Sequence, residues 1–397
     1  MSEQYSRASN WGSYSRSIWC SLIGQVRVAM WIFWDVFLTL LRPIKALIGG
    51  MAGGSSTMTL QEGKKVRFSN IPIAEGGFSF VYEARHSSTG EHYALKKILC
   101  QVDEQRELAL AEMRAHREFS HPNLMPLLDC AIVVVPQGEA VFMLFPFMDR
   151  SLRGLIDARV LGDGPPILEL EALSLFVGVC RGVSVLHQHE PSWAHRDIKP
   201  ENIMIRRDGT PVLMDLGSVA PAYRRVEGRT DALAVQDEAA RHSTIPFRAP
   251  ELFDVASDAV LDQRTDVWSL GCLLYALRYG FSPFECEFVR SGGGASAAGG
   301  LRVVECSFLR VIGPVNFPPD GRVSQRYQEL VMFALEQDPL ERPFVEEVLD
   351  RAVDLAGLEV SSGVKRSLRC GRMEVKWGCK GYFVVITRER MRRVNPR

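Results

Sequence analysis

The chain has 397 residues, enough to bury the core of one large two-lobed domain or of two ordinary domains. Lysine plus arginine and aspartate plus glutamate each number 47, so there is no overall excess of basic charge of the kind that favours binding to nucleic acid. The nine cysteines contain no Cys-x-x-Cys pair, which argues against structural zinc and predicts reduced thiols in a cytosolic domain.

The amino-terminal region predicts a membrane anchor. Residues 1–17 are polar and are expected to form a disordered tail. Residues 18–48 are predicted to form a hydrophobic membrane-anchor helix, because the apolar run 18–41 has about the length that spans a bilayer. Arg27 and Asp35 interrupt this run, so a helix lying in the membrane surface, or one packed on the following domain, stays open.

The remaining chain divides into a linker, a globular domain and a tail. The Gly- and Ser-rich stretch predicts a flexible linker over 49–63, and the globular domain is expected over 64–352. Residues 353–397 form a basic carboxy-terminal tail, for which docking on anionic lipid is one interpretation and packing on the domain is another. β-type patterns come first, over 66–99, and helical patterns follow over 103–119, 169–190 and 325–337.

The segment HRDIKPEN at 195–202, followed by Asp215-Leu216-Gly217, carries the strongest chemical signal. In phosphoryl transfer one aspartate accepts the hydrogen bond of the attacking hydroxyl, while an asparagine and a second aspartate hold Mg²⁺ against the phosphates. The spacing assigns these roles to Asp197, Asn202 and Asp215. Two short strands joined by a turn would bring Asn202 and Asp215 together.

The segment 73–84 predicts a hairpin that covers phosphates, and a lysine follows it at position 96. Gly76 occupies one of the three usual glycine positions, and Gly77 lies beside the pattern. Glu112, on the predicted helix, is the preferred ion-pair partner of Lys96. Three other glutamates on or near this helix stay open as alternatives: Glu104, Glu107 and Glu118.

Together with RAPE at 248–251, DVWSLGC at 266–272 and Arg342, these motifs resemble a eukaryotic protein kinase domain over residues 66–352. The resemblance implies an α+β, two-lobed fold with a small β-rich lobe and a larger helical lobe. It also implies that Glu251 pairs with Arg342 and that Asp266 braces the catalytic loop.

Finer motifs point to a group within this family. DLGS after strand residues 211–214, QDEAARHSTIPFRAPELF around 236–253 and FPFMDRSL at 145–152 are similar to the Numb-associated kinases, and within them to the myristoylated and palmitoylated serine/threonine kinase. Lys199 and Thr244 match the serine/threonine type, so protein serine and threonine hydroxyls are the expected substrates. Nothing in the sequence indicates the oligomeric state.

The resemblance implies ATP and Mg²⁺ as cofactors and assigns the site residues. The catalytic residues are Asp197, Lys199, Lys96 and Glu112; the nucleotide-binding residues are Ile73, Gly76, Gly77, Val81, Ala94, Lys96, Phe145, Phe147 and Met148; the metal ligands are Asn202 and Asp215. Phosphorylation of the activation segment, at Thr230 or Ser243, is expected to order it by pairing with Arg196.

The chain departs from this group in two places. Residue 2 is serine, which excludes N-myristoylation, so residues 18–41 would supply the membrane attachment, with Cys20 as a palmitoylation candidate or simply a buried cysteine. The apolar stretch resembles the single-span region of the selenoprotein K group, which implies a cytosolic kinase domain on an endomembrane, the ER or Golgi rather than the plasma membrane. The altered glycine loop and the leucine of DLG keep a membrane-tethered pseudokinase scaffold open as the alternative.

Overall fold

The computed structural model describes residues 54–162, 164–289, 300–318 and 321–358. Three predicted segments therefore lie wholly or mostly outside the described residues: the tail 1–17, the anchor helix 18–48 and the basic tail 353–397.

The amino-terminal lobe is built on an antiparallel sheet. Its strands run in the order β1-β2-β4-β5-β7-β6, and β3 pairs with β4. Their bounds are β1 Ser55–Thr59, β2 Lys65–Ser69, β3 Ala74–Glu75, β4 Ser79–His86, β5 His92–Cys100, β6 Asp129–Val135 and β7 Gly138–Pro146.

The first strand differs from the sequence prediction, which assigns residues 49–63 to a flexible linker. Residues 55–59 instead form β1, whose Met58 lies opposite Val66 of β2. Small polar residues such as Ser55 have low strand propensity, so composition alone predicts a linker. The lobe therefore begins about nine residues before position 64, as the strand bounds show.

Helix α1 (Asp103–Glu118) packs on this sheet. Its first turn carries Asp103 and Glu104, and its last turn carries Arg117, so charges of both signs complement the helix dipole. The helix ends at Glu118, one residue before the predicted end.

The carboxy-terminal lobe is mainly helical. Its helices pack around α3 and α5, which are buried along most of their length. In α5, Trp268 is fully buried and stacks on Phe284, with 5.4 Å between ring centroids. The bounds are α2 Leu152–Ile156, α3 Glu169–His187, α4 Gly228–His242, α5 Arg264–Tyr279, α6 Phe308–Val311, α7 Gln325–Ala334 and α8 Val345–Ala356.

Among the described residues, α3 is the one helix long and apolar enough to cross a membrane, and 72% of its most apolar window is buried within the domain. Burial of this kind is typical of a core helix in a globular domain. The composition of α3 therefore reflects its place in the core of this lobe.

Short strand pairs in this lobe hold the segments that carry polar chemistry. These strands are β8 Arg150–Ser151, β9 Trp193–Ala194, β10 Ile203–Ile205, β11 Pro211–Leu213, β12 Ala220–Pro221, β13 Arg224–Arg225, β14 Val260–Leu261, β15 Cys286–Val289 and β16 Gly300–Val303. β10 lies between β11 and β8, β12 pairs with β9, β13 pairs with β14, and β15 pairs with β16. The predicted α+β fold, with a small β-rich lobe and a larger helical lobe, is confirmed.

Candidate active site

Lys96 is the centre of a three-residue charge cluster. Its Nζ lies 2.6 Å from Oε1 of Glu112 and 3.0 Å from Oδ1 of Asp215. Lys96 comes from β5, Glu112 from α1 and Asp215 from the segment after β11. The cluster therefore joins the two lobes at the cleft between them.

Burial and charge act against each other in this cluster. Burial alone would lower the pKa of Lys96, but the carboxylates of Glu112 and Asp215 raise it above its ordinary value. Burial likewise opposes ionisation of Asp215, and the Lys96 ammonium outweighs it, so the pKa of Asp215 is lowered. Lys96 is thus charged and Asp215 ionised at neutral pH, the forms needed to bind phosphate and a divalent cation.

The helix period explains why Glu112, and not another glutamate of α1, contacts Lys96. The buried residues of α1 include Ala109, Glu112, Met113 and His116, which follow the i, i+3, i+4, i+7 spacing of one helix face. The alternatives Glu104, Glu107 and Glu118 are all exposed. Only Glu112, of the four glutamates, can meet a lysine on β5.

Asp197 lies in a dense set of hydrogen bonds on the helical lobe. Its Oδ1 accepts from the Thr244 hydroxyl at 2.7 Å and from the Thr244 N–H at 3.1 Å. Its Oδ2 accepts from Asn202 Nδ2 at 3.0 Å and lies 2.7 Å from Lys199 Nζ. The predicted base, its lysine and the threonine before RAPE are therefore in direct contact.

Asp266 fixes the backbone that carries Asp197. It is fully buried on α5, and its carboxylate accepts from the N–H of His195 at 2.6 Å and from that of Arg196 at 2.8 Å. His187 contacts the same carboxylate at 3.0 Å. These bonds hold Arg196 at φ 70°, a left-handed conformation that non-glycine residues rarely adopt without support.

Asn202 and Asp215 are brought together at one end of a strand pair. Asn202 precedes β10 and Asp215 follows β11, and the Met214 N–H donates to the Asn202 carbonyl at 2.9 Å. Because Nδ2 of Asn202 points to Asp197, its amide oxygen points the other way. Together with the Asp215 carboxylate it presents hard oxygen ligands of the kind that suit Mg²⁺.

The glycine-containing hairpin is formed by β3 and β4, and β4 pairs with the strand that carries Lys96. Ala74 and Glu75 form β3 opposite Val81 and Phe80. The Gly76 N–H donates to the Ser79 carbonyl at 2.8 Å, and a Cβ on Gly76 would lie 2.8 Å from the Ser79 hydroxyl. A larger residue at position 76 would therefore require the Ser79 hydroxyl to move.

The remaining nucleotide-binding candidates lie along the strands of this lobe. Ile73, half-exposed before β3, donates its N–H to the Val81 carbonyl at 2.7 Å. Val81 on β4 pairs with Lys96, and Ala94 on β5 pairs with Phe145 on β7. These residues form neighbouring positions of one sheet.

After β7 the chain reaches the connection between the lobes. The Phe147 ring stacks on His92 with 3.8 Å between centroids. Met148 packs with the cluster that contains Phe145, Met143 and Val212. The Phe147 side chain is thus engaged with the start of β5.

A buried ion pair joins two further motifs. Glu251 of RAPE and Arg342 form a bidentate pair at 2.7 and 2.9 Å, as the resemblance implies, and the Arg342 side chain is fully buried. The Arg342 guanidinium also lies over the Trp268 ring, 5.1 Å from its centroid.

The comparisons with known proteins agree with this geometry. The family model described as protein kinase domain matches residues 70–353. Serine/threonine-protein kinase 16 of Homo sapiens is 39% identical over 273 residues, covering 69% of this chain and 85% of that protein. The Rattus norvegicus protein of the same name is 38% identical over 279 residues, covering 70% and 87%. A probable serine/threonine-protein kinase of Dictyostelium discoideum is 32% identical over 351 residues, covering 71% and 92%.

The chain belongs to the protein kinase family. The family model matches most of the chain, and the relatives are serine/threonine-protein kinases, which together identify the chain as a serine/threonine protein kinase. The region matched by the family model begins at residue 70, directly after β2.

The kinase also contains contacts that the motifs do not reveal. In the activation segment (residues 215–251), Glu238 on α4 lies 2.5 Å from Arg196 of the catalytic loop. Asp231 and Asp237 lie on the same helix, and only the packing distinguishes their positions from that of Glu238. The acidic residues of α4 were the available sequence signal, but they do not indicate which of the three carboxylates contacts Arg196.

His116 is a second residue that sequence motifs do not single out. It is buried on α1, donates from Nδ1 to the Met125 carbonyl at 3.0 Å, and packs against the Phe145 ring at 4.9 Å. Burial lowers its pKa to about 4. A neutral imidazole therefore lies behind Phe145 at neutral pH.

Proposed function

We propose that this kinase transfers the γ-phosphate of ATP to serine and threonine hydroxyls of protein substrates. The observation that carries the proposal is the Asp197 carboxylate, which is oriented by Thr244, Asn202 and Lys199 within the catalytic loop. A carboxylate fixed in this way has the placement required to orient an attacking hydroxyl.

The chemical step follows from the groups around Asp197. The substrate hydroxyl donates its hydrogen bond to the carboxylate, and its oxygen attacks the γ-phosphorus. As the bond to the bridging β-γ oxygen breaks, ADP leaves and the hydroxyl proton passes to Asp197. Lys199, 2.7 Å from this carboxylate, is within reach of the transferring group and stabilises its charge.

ATP binds, in this proposal, between the hairpin that contains Gly76 and Gly77 and the cluster around Lys96. The Lys96 ammonium contacts the α- and β-phosphates, and Glu112 holds it in place. Asn202 and the ionised Asp215 have the oxygen donors to hold Mg²⁺, which would neutralise phosphate charge when bound.

A pseudokinase scaffold is the alternative function. It would bind partners without transferring phosphate, and the leucine of DLG and the reduced glycine loop motivate it. The contacts of Lys96, Glu112, Asp197, Asn202 and Asp215 favour catalysis instead, because each polar group that the chemistry needs is present and paired.

Phosphate transfer from labelled ATP with Mg²⁺ tests the proposal. The full chain is assayed on itself and on a generic basic protein, in parallel with its Asp197→Ala variant. Transfer to serine and threonine that the variant abolishes supports the proposal. A folded, ATP-binding chain that transfers nothing would favour the scaffold.

We also propose that the kinase belongs to the Numb-associated group and is attached to an endomembrane with its catalytic domain in the cytosol. The similarity of DLGS and of the region around RAPELF to the Numb-associated kinases supports the assignment to this group. The apolar run 18–41, followed by Arg42 and Lys45, supports the membrane attachment. Protease protection of an amino-terminal tag in sealed microsomes tests the attachment: a spanning helix with a lumenal amino terminus protects the tag, and a helix on the surface leaves it exposed.

A further inference from the structure

Arg196 links the catalytic loop to the activation segment. Its backbone is fixed by Asp266, and its side chain leaves the loop next to Asp197. One guanidinium nitrogen lies 2.5 Å from Glu238 Oε1, and another donates to the Pro221 carbonyl at 3.1 Å. Any group that holds this guanidinium therefore helps to set the position of the catalytic loop relative to the activation segment.

Glu238 holds two arginines at once. While Oε1 contacts Arg196, Oε2 accepts from Arg224 of β13 at 2.8 Å. Arg224 in turn contacts Asp231 Oδ1 at 2.7 Å, and Asp231 Oδ2 accepts from the Glu227 N–H at 3.0 Å. Two arginines and two carboxylates thus form a closed network with no net charge.

A phosphate group on a serine or threonine can join arginines in the same way as Glu238 does here. A phosphorylated serine or threonine orders a segment because its several acceptor oxygens pair with arginines brought from different parts of the chain. Glu238 supplies two such oxygens, and the arginines that it joins come from the catalytic loop and the activation segment. The side chains of Arg196 and Glu238 are only 22% and 32% exposed, so solvent screens their attraction only in part.

We propose that Glu238 is the anionic positioning residue of this kinase, so that the catalytic loop and activation segment reach their active arrangement without phosphorylation. The proposal rests on the proposed kinase function and adds how the site is regulated. It replaces the expectation that a phosphate pairs with Arg196.

The two expected phosphorylation sites do not supply this partner. Thr230 is exposed and precedes Glu238 by eight residues of α4, a separation of about 12 Å along the helix axis. The Ser243 hydroxyl donates to the Ala239 carbonyl at 2.6 Å and accepts from Arg248 at 2.8 Å. A phosphate at Ser243 would break these bonds, and one at Thr230 would lie away from Arg196.

The test uses the full chain after treatment with a protein phosphatase, with loss of phosphate verified by mass spectrometry. Initial rates of phosphate transfer are compared for the wild type, Glu238→Gln, Glu238→Asp and Asp237→Asn. Asp237 is the matched control, because it is the next carboxylate on α4, is exposed, and forms no ion pair with the described residues.

We expect the phosphate-free wild type to keep its activity to within about twofold, and Glu238→Gln to lower kcat about tenfold with little change in the KM for ATP. Glu238→Asp keeps the charge on a shorter side chain, so its kcat should lie between those of the wild type and Glu238→Gln. Asp237→Asn should match the wild type. If Glu238→Gln instead caused a general loss of folding, ATP binding would also change, and Glu238→Asp would not restore activity.

Two outcomes would overturn the proposal while leaving the kinase function intact. One is a wild type that is active when phosphorylated and inactive after phosphatase treatment; this comparison needs no variant, so it stays decisive if Glu238→Gln is unstable. The other is equal kcat for Glu238→Gln and Asp237→Asn. If neither the phosphorylated nor the phosphate-free wild type transfers phosphate, both the kinase function and this proposal are lost.

Discussion

The Thr244 hydroxyl lies 2.7 Å from Oδ1 of Asp197 and also 2.7 Å from Nζ of Lys199. It donates to the carboxylate and accepts from the ammonium, so a single hydroxyl joins the base to the lysine that serves the phosphoryl group. Since Thr244 belongs to the activation segment, the bonds to Oδ1 of the catalytic carboxylate form only when that segment is in place, whereas Asn202 and Lys199 hold Oδ2 from within the catalytic loop.

Thr244→Val should therefore lower kcat while leaving the KM for ATP nearly unchanged. Valine has the same shape but lacks the hydroxyl, so Oδ1 of Asp197 keeps only the backbone N–H of residue 244, while Oδ2 keeps its contacts to Asn202 and Lys199. Loss of one hydrogen bond to a charged group is worth about 1.5–3 kcal/mol, or roughly a ten- to hundredfold fall in kcat. Steady-state kinetics with a protein substrate measure this.

Thr244→Ser is the matched variant, because serine restores the hydroxyl. We expect its kcat within about threefold of the wild type. If serine and valine lower kcat equally, the hydroxyl is not what orients Asp197.

Glu112→Gln should reduce kcat/KM for ATP by roughly ten- to hundredfold. Glutamine leaves Asp215 as the remaining carboxylate partner of Lys96, so the ammonium would be drawn toward the metal-binding carboxylate and away from the phosphates. Kinetics with varied ATP concentration give the value.

Glu107→Gln is the control on the same helix. The Glu107 side chain is 65% exposed and its contacts to Arg106 and Arg114 are 3.6 and 3.7 Å long, so its loss should change activity by less than about twofold. Equal effects of the two substitutions would mean that Glu112 acts only through the net charge of α1.

Contiguous motifs explain why much of the site was predictable. HRDIKPEN places Asp197 and Asn202 on one loop with fixed spacing, and helix period places Glu112 on the buried face of α1. β1 was missed because its first serines continue the Gly- and Ser-rich run 49–56, which is typical of linkers; only the pairing with β2 shows that these serines belong to a strand. Glu238 was missed because its partner Arg196 lies 42 residues away in sequence, and no local pattern encodes that contact.

The buried pair of Glu251 and Arg342 should be important for stability. Glu251→Gln leaves the fully buried Arg342 guanidinium without its carboxylate, although the carbonyls of Glu336 and Arg264 still accept from it. Removing one partner of such a pair costs about 3 kcal/mol of unfolding free energy. Urea unfolding followed by tryptophan fluorescence measures the loss.

Glu83→Gln is the surface counterpart. Glu83 contacts Arg85 at 3.1 Å, with both side chains more than 40% exposed, so we expect a change below about 1 kcal/mol. A Glu251→Gln protein as stable as Glu83→Gln would show that the carbonyl contacts alone satisfy Arg342.

His116 should make the stability of the kinase sensitive to acid. Burial lowers the pKa of His116 from its ordinary 6.5 to about 4 in the folded protein. Above pH 6.5 the imidazole is neutral in both states, so its contribution is fully present. As the pH falls from 6.5 toward 4, the unfolded chain binds a proton that the folded chain does not, and the unfolding free energy decreases.

The expected loss between pH 7.5 and pH 5 is about 2 kcal/mol, since each pH unit well inside the window between the two pKa values costs about 1.4 kcal/mol. His116→Gln removes the titration while keeping an N–H donor for the Met125 carbonyl. Thermal unfolding of both proteins from pH 7.5 to 5 should therefore give a shallower acid decline for the variant. Parallel declines would mean that His116 is already protonated in the folded kinase, because only a group that gains its proton on unfolding contributes to the slope.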